Sequence, residues 1–127
     1  MIVLRSSDEI GAIRMAGRIV ALVLEKIKKC AKPGVETREL DVMAREEILK
    51  NKGFPAFKDY KGFPANICAS INEAVVHGLP SMRRLVSGDI ISIDVGVKFR
   101  DYYADGAVTI GIGDITDEAC KLLNVTE

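Results

Sequence analysis

The sequence predicts an α+β domain in which two N-terminal helices pack on an antiparallel β-sheet. Three observations carry that reading. Apolar residues recur at helical spacing through the N-terminal part of the chain. Two runs rich in Ile and Val follow each other at the short separation of a hairpin. Glycine and proline punctuate the segments between these patterns.

Ser6-Ser7-Asp8-Glu9 has the form of a capping box, with Ser6 as N-cap and Glu9 reaching back. Ile10, Ile13, Gly17, Val20, Leu24 and Ile27 then recur on one face of a long amphipathic helix, which Lys32-Pro33-Gly34 stops. Thr37 can cap a second helix whose apolar face is Leu40, Met43, Ala44 and Ile48, and Asn51-Lys52-Gly53 resembles its C-terminal end. From Phe54 to Pro64, aromatic residues alternate with Pro55, Gly62 and Pro64, which rules out a regular helix. Asn66 to Asn72 reads as a strand, with Ile67, Ala69 and Ile71 on one side. Asp89 to Lys98 and Tyr102 to Ile112 are the two strong strands, and Thr116 can cap a last helix through Ala119, Leu122 and Leu123.

The chain has 127 residues, which bounds it to one domain, and its 48% apolar content is enough for a core. Its 18 basic and 18 acidic residues cancel, which argues against a dedicated nucleic-acid binder. The densest basic run, Lys26, Lys28, Lys29 and Lys32, suits the wet face and last turn of the first helix. Cys30, Cys68 and Cys120 are odd in number and show no C-x-x-C spacing, so all three read as buried small hydrophobes. No signal-peptide pattern precedes the first helix and no apolar run spans a membrane, so the expected compartment is the cytoplasm.

Two aspartates stand out. If the strong strands form a hairpin with Phe99-Arg100 as a two-residue loop, Lys98 opposes Asp101 and Asp94 opposes Asp105. Directly opposed residues share a face with Cβ atoms about 5 Å apart. Like charges so placed repel, and Asp94 is flanked by Ile93 and Val95. Either one carboxyl keeps a proton, or a divalent cation sits between the two. A longer turn would separate them instead, and either could pair with an Arg or Lys. Phe99-Arg100 also lacks the Asn-Gly or Asp-Gly of a tight turn.

His77 is the only histidine and lies at the end of a strand-like run, where Gly78 and Pro80 mark a turn. A lone histidine is ordinarily structural, but its place at an element end favours a functional role. H-E-x-x-H and G-x-S-x-G are both absent, so zincin and serine-hydrolase chemistry lack support.

Together these segments resemble type I methionine aminopeptidases. Ser70-Ile71-Asn72-Glu73-Ala74-Val75-Val76-His77-Gly78-Leu79-Pro80 is similar to their histidine motif. Gly88-Asp89-Ile90-Ile91-Ser92-Ile93-Asp94-Val95-Gly96 and Ala104-Asp105-Gly106-Ala107-Val108-Thr109 resemble their two metal-ligand strands. Lys32-Pro33-Gly34-Val35 and Tyr60-Lys61-Gly62-Phe63-Pro64 match as well, so the likeness runs from about Ile10 to Gly113. It implies half of a pita-bread fold and a site for two divalent ions (Co, Mn, Fe, Zn or Ni), with Asp94 holding one ion and Asp105 bridging both. It implies that His77 contacts the scissile peptide and that Phe57, Tyr60 and Phe63 line a methionine pocket. Read from the residues alone, those aromatics are ordinary core.

The implied activity is metal-dependent removal of the N-terminal methionine from nascent proteins. The family's catalytic domain is roughly twice as long, and its remaining ligands, one histidine and two glutamates, belong to the other half. The 127 residues are thus expected to be an N-terminal half with little or no activity alone. Two alternatives are a non-enzymatic pita-bread-like binding module and a prolidase-like hydrolase. Ile91, Ile93, Val95 and Val97 form one apolar face, and Ile67, Ala69 and Ile71 another. Both are expected to lie partly open in a half-fold, which would allow a homodimer.

Overall fold

Helix α1 begins where its capping box places it. In the computed structural model, which describes residues 1–127, Ser6 Oγ accepts from the Glu9 N–H at 3.3 Å, and the Glu9 carboxylate accepts from the Ser6 N–H at 2.6 Å. α1 spans Ser7–Cys30 and buries Ala12, Ala16, Ile19, Val20, Val23 and Ile27. Val20 and Ile27 lie in the expected stripe, whereas Ile10 is exposed and Ile13, Gly17 and Leu24 are only half-buried. The stripe is rotated because Ala12 and Ala16, small enough for close approach, face inward. The spacing of large residues does not reveal that.

Helix α2 spans Thr37–Lys50, with Glu36 as N-cap rather than Thr37. The Glu36 N–H donates to the Glu39 carboxylate at 2.9 Å. Thr37 is already helical and buried. Its hydroxyl accepts from the Ser81 N–H at 2.8 Å and donates to the Ser81 carbonyl at 3.2 Å, so it serves a long-range tether instead of a cap. Leu40, Ala44 and Ile48 are buried, and the helix ends at Asn51 with Lys52 left-handed at φ +64°. The stretch that follows is irregular, as its prolines and glycines require. It holds the short β1 (Phe54–Pro55) and a 3₁₀ turn at Tyr60–Gly62.

Strands β2 (Ile67–Ile71), β3 (Ile90–Phe99) and β4 (Tyr102–Gly111) complete an antiparallel sheet. β3 is central. β4 pairs along its whole length, while β2 and β1 pair with different parts of its other edge. Ile91, Ile93, Val95 and Val97 are fully buried and join Ile67, Ala69, Ile19, Ile27, Leu40 and Ile48 in one cluster. Burying each such side chain contributes about 1.5–3 kcal/mol relative to exposure. The apolar faces expected to lie open are therefore covered by α1 and α2, while the outer edge of β4 has no partner strand.

Helix α3 (Asp117–Thr126) is capped by Thr116, whose hydroxyl accepts from the Ala119 N–H at 3.2 Å, and it buries no residue. Cys120 on it is exposed and Cys30 is half-buried, so of the three cysteines only Cys68 is the buried residue expected. No helix is long and apolar enough to cross a membrane.

Candidate active site

The hairpin turns at Arg100-Asp101, not at Phe99-Arg100. Arg100 takes the left-handed conformation at φ +53°, and Phe99 pairs with Tyr102. Asp94 therefore lies opposite Ala107, and Asp105 opposite Gly96. The expected direct opposition does not occur. The shift moves each partner by two positions, however, and strand side chains alternate with period two. The two carboxylates still share a face, as diagonal neighbours roughly 7 Å apart. Lys98 faces Tyr103 in the ladder, with its Nζ 3.7 Å from the Asp101 carboxylate.

That face is the one turned away from the helices. Because Ile91, Ile93, Val95 and Val97 point into the core, Ser92, Asp94 and Gly96 point to the other side. β2 adds Cys68 opposite Asp94 and Ser70 opposite Ser92. On β4, Asp105, Ala107 and Thr109 are exposed there, and the Thr109 and Ser92 hydroxyls hydrogen-bond at 2.8 Å.

Asp94 Oδ1 is buried and has no hydrogen-bond partner, which sets it apart from every other buried side-chain nitrogen or oxygen. Burial pushes its carboxyl above the usual range, the charge of Asp105 pushes it further, and His77 pulls it down. Burial also raises the Cys68 thiol, and the Asp94 charge adds to it. An acceptor buried without a donor costs about 1–3 kcal/mol. A cation would remove that cost and the repulsion from Asp105 together. Nowhere does the chain gather three or more His, Cys, Asp or Glu donors.

His77 stands on the long connection between β2 and β3, exposed, with its backbone left-handed at φ +57°. The connection is pinned at both ends. Asn72, also left-handed, donates from its backbone to the Ile90 carbonyl and accepts from the Ile90 N–H, both at 3.0 Å. Its side-chain amide donates to Asp89 at 2.9 Å. Asp89, buried, also accepts from Arg83 at 3.1 and 3.2 Å and from the Val86 N–H at 3.0 Å. Burial alone would raise the Asp89 carboxyl, but the Val86, Arg83 and Asn72 hydrogen bonds outweigh it and hold it low.

Two of the three aromatics come together. The Phe57 ring lies on Gly96, where an added Cβ would stand 2.8 Å from ring atom Cδ1. Phe63 meets Phe57 edge to face with centroids 6.5 Å apart. An apolar wall thus adjoins the carboxylates on their own face. Tyr60 stays 64% exposed, with Lys61 Nζ 5.5 Å from its ring centroid.

Sequence reasoning misses several participants. Cys68 and Ser70 are legible in principle, because the alternation that sends Ile67 and Ala69 inward sends these two to the site face. The Asn72, Arg83 and Asp89 network has no local signal, since its members meet only when the connection closes.

The family model of metallopeptidase family M24 matches residues 11–127. The chain is 50% identical over its full length to methionine aminopeptidase 1 of Bacillus subtilis and covers 51% of that protein. The crystal structure of methionine aminopeptidase from Thermotoga maritima superposes with a TM-score of 0.96 at 36% identity, over 99% of this chain and 51% of the other. A prolidase from Pyrococcus furiosus superposes with a TM-score of 0.80 over 97% of this chain and 35% of the other, at 19% identity, which is a likeness of fold alone. The chain thus spans about half the length of the methionine aminopeptidases it matches, and its fold is that part of the pita-bread architecture.

Proposed function

The chain belongs to metallopeptidase family M24, and from that premise we propose that the protein removes N-terminal methionine from peptides, nascent chains among them, with Asp94 and Asp105 as two of its metal ligands. One observation carries the reading: the buried, unpartnered Oδ1 of Asp94, on the same strand face as Asp105. The donor chemistry fits a divalent ion of the Co, Mn, Fe, Zn or Ni kind. When bound, such ions polarise the peptide carbonyl and generate a strong nucleophile from water at neutral pH. The likeness to type I methionine aminopeptidases assigns the remaining ligands, one histidine and two glutamates, to the other half of the fold.

The residues of this chain bind and orient. Asp94 and Asp105 would hold the ions on the β3–β4 hairpin. His77 places its imidazole where it can hydrogen-bond the scissile peptide and the charge that develops on it. Phe57 and Phe63, with Tyr60, wall the methionine side chain, whose thioether packs favourably against rings. They also keep water from that side. Three unpaired cysteines, one of them beside Asp94, suit a reducing cytoplasm. Balanced charge goes with a peptide substrate and gives no reason to invoke a nucleic acid or membrane partner.

The test is release of methionine from a short Met-Ala peptide by the protein at its native length with Co²⁺ or Mn²⁺. Asp94→Ala and Asp105→Ala should each abolish it. Undiminished turnover in Asp94→Ala would overturn the assignment, and binding of peptide without turnover in the wild type would favour a non-enzymatic module.

A further inference from the structure

We propose that Ser70 is a positioning residue for His77, acting through the peptide that joins His77 to Gly78. This rests on the proposed role of His77 as the residue that contacts substrate. Ser70 is 3% exposed, on the carboxylate face of β2. Its Oγ accepts from the Gly78 N–H at 3.0 Å. That N–H belongs to the His77–Gly78 peptide plane, so the bond fixes the rotation of the plane about the His77 Cα. The Gly78 carbonyl is held in turn by the Ala69 N–H at 2.9 Å. Together the two bonds lay residue 78 against the outer edge of β2.

The fit is close enough to demand glycine. A Cβ on Gly78 would overlap the Ala69 carbonyl and stand 2.8 Å from the Ser70 Cα, both backbone atoms that cannot swing aside. His77 itself is left-handed at φ +57°, a conformation that costs a non-glycine residue energy and persists only where its surroundings impose it. The groups bonded to the residue next to His77 are Ser70 and Ala69, whereas Asn72 and Asp89 clamp the ends of the connection and Thr37 tethers it at Ser81. Ala69 offers only its backbone, so Ser70 supplies the side-chain bond nearest to His77 along the connection.

The test uses the native-length protein with Ser70→Ala and Ser70→Thr. Two readouts are taken. The first is structural: exchange of the Gly78 amide, and the His77 imidazole NMR signal assigned by its loss in His77→Asn. The second is the kcat and KM for methionine release. In Ser70→Ala the Gly78 amide should exchange about tenfold faster and the His77 signal should broaden or split. kcat should fall about tenfold or more, with KM within about twofold. Ser70→Thr keeps the acceptor and should restore both. Unchanged Gly78 exchange in a folded Ser70→Ala protein would overturn the proposal, as would equal losses in the alanine and threonine variants. If the wild type releases no methionine, the function proposed above fails, while the amide and imidazole readouts still decide whether Ser70 holds His77.

Discussion

The ring of Phe57 rests on Gly96, and Gly96 is the β3 residue that faces Asp105 across the hairpin. The aromatic wall and the carboxylates are therefore registered to each other through one residue without a side chain. Gly96→Ala would place a methyl 2.8 Å from Cδ1 and 3.0 Å from Cζ of Phe57, and a flat ring on a sheet cannot yield as a flexible chain end does. The expected outcome is a loss of about 1–3 kcal/mol of stability from overpacking. In the native-length protein the KM for methionyl peptides should rise more than kcat falls, because the wall moves and Asp94 and Asp105 do not. Thermal melts and steady-state kinetics check both, and an unchanged KM would separate Phe57 from the substrate.

Asp94 should destabilise the metal-free fold. Its carboxyl is raised by burial first and then by Asp105, so the folded state holds the Asp94 proton more tightly than the unfolded state. The penalty is absent below the unfolded value of about 4, grows as pH rises through the raised folded value, and stays constant above it. Asp94→Asn should therefore stabilise the metal-free fold at pH 7, by on the order of 1 kcal/mol, which raises the melting temperature, and leave it unchanged near pH 3. With divalent ion added to the native-length protein the order reverses, because the wild type gains binding free energy that the variant cannot. Melts with and without Co²⁺ over that pH range decide it. An Asn variant less stable than wild type under every condition would mean that Oδ1 has a partner.

Much of the fold and of the site is legible in the sequence, and the exceptions have specific physical causes. The Ser6 cap is written in four consecutive residues, and β3 in Ile or Val at every second position from Ile91 to Val97, so local chemistry is enough. The shared face of Asp94 and Asp105 follows from parity alone, which is why it holds although the turn lies one residue further along. The turn itself is not legible because nothing in Phe99-Arg100-Asp101 carries the usual glycine or asparagine, and the left-handed residue is an arginine. Thr37 resembles a cap but is none, because its hydroxyl is engaged by Ser81, a partner far along the chain. Ile10 belongs to the apolar stripe by spacing and yet lies outside, because two alanines set the approach of α1.

Asp89 is the residue on which the His77 connection closes. Buried, it accepts from Arg83, Asn72 and the Val86 N–H. Asp89→Ala would strand these donors, and Arg83 would be left to solvent, so a loss of about 1–3 kcal/mol is expected. The acid dependence has the opposite sign to that of Asp94. The Asp89 carboxyl is held low despite its burial, so its contribution is complete above about pH 4 and is lost as pH falls through its depressed folded value. The gap in melting temperature between wild type and Asp89→Ala should be constant from pH 5 to 8 and narrow only in acid. A gap that narrowed already between pH 7 and 5 would contradict the assigned direction.

These 127 residues, prepared alone, should fold and yet turn over no methionyl peptide at a useful rate. Folding is expected because the cluster of Ile91, Ile93, Val95 and Val97 is already closed by α1 and α2. Turnover is not, because two carboxylates make an incomplete site and no cluster of three donors exists to complete it. Two carboxylates and water should hold Co²⁺ or Mn²⁺ with a Kd on the order of 10⁻⁴ M or weaker. Losing the other ligands forfeits both positioning and preorganised charge, each worth a factor of roughly 10² or more in rate. Titration calorimetry should find weak binding that disappears in both Asp94→Ala and Asp105→Ala, since each supplies half of the donors. A peptide assay at saturating Co²⁺ should find no turnover above background. Tight stoichiometric binding, or turnover that Asp94→Ala abolishes, would place a complete site within this half and overturn the division of ligands proposed here.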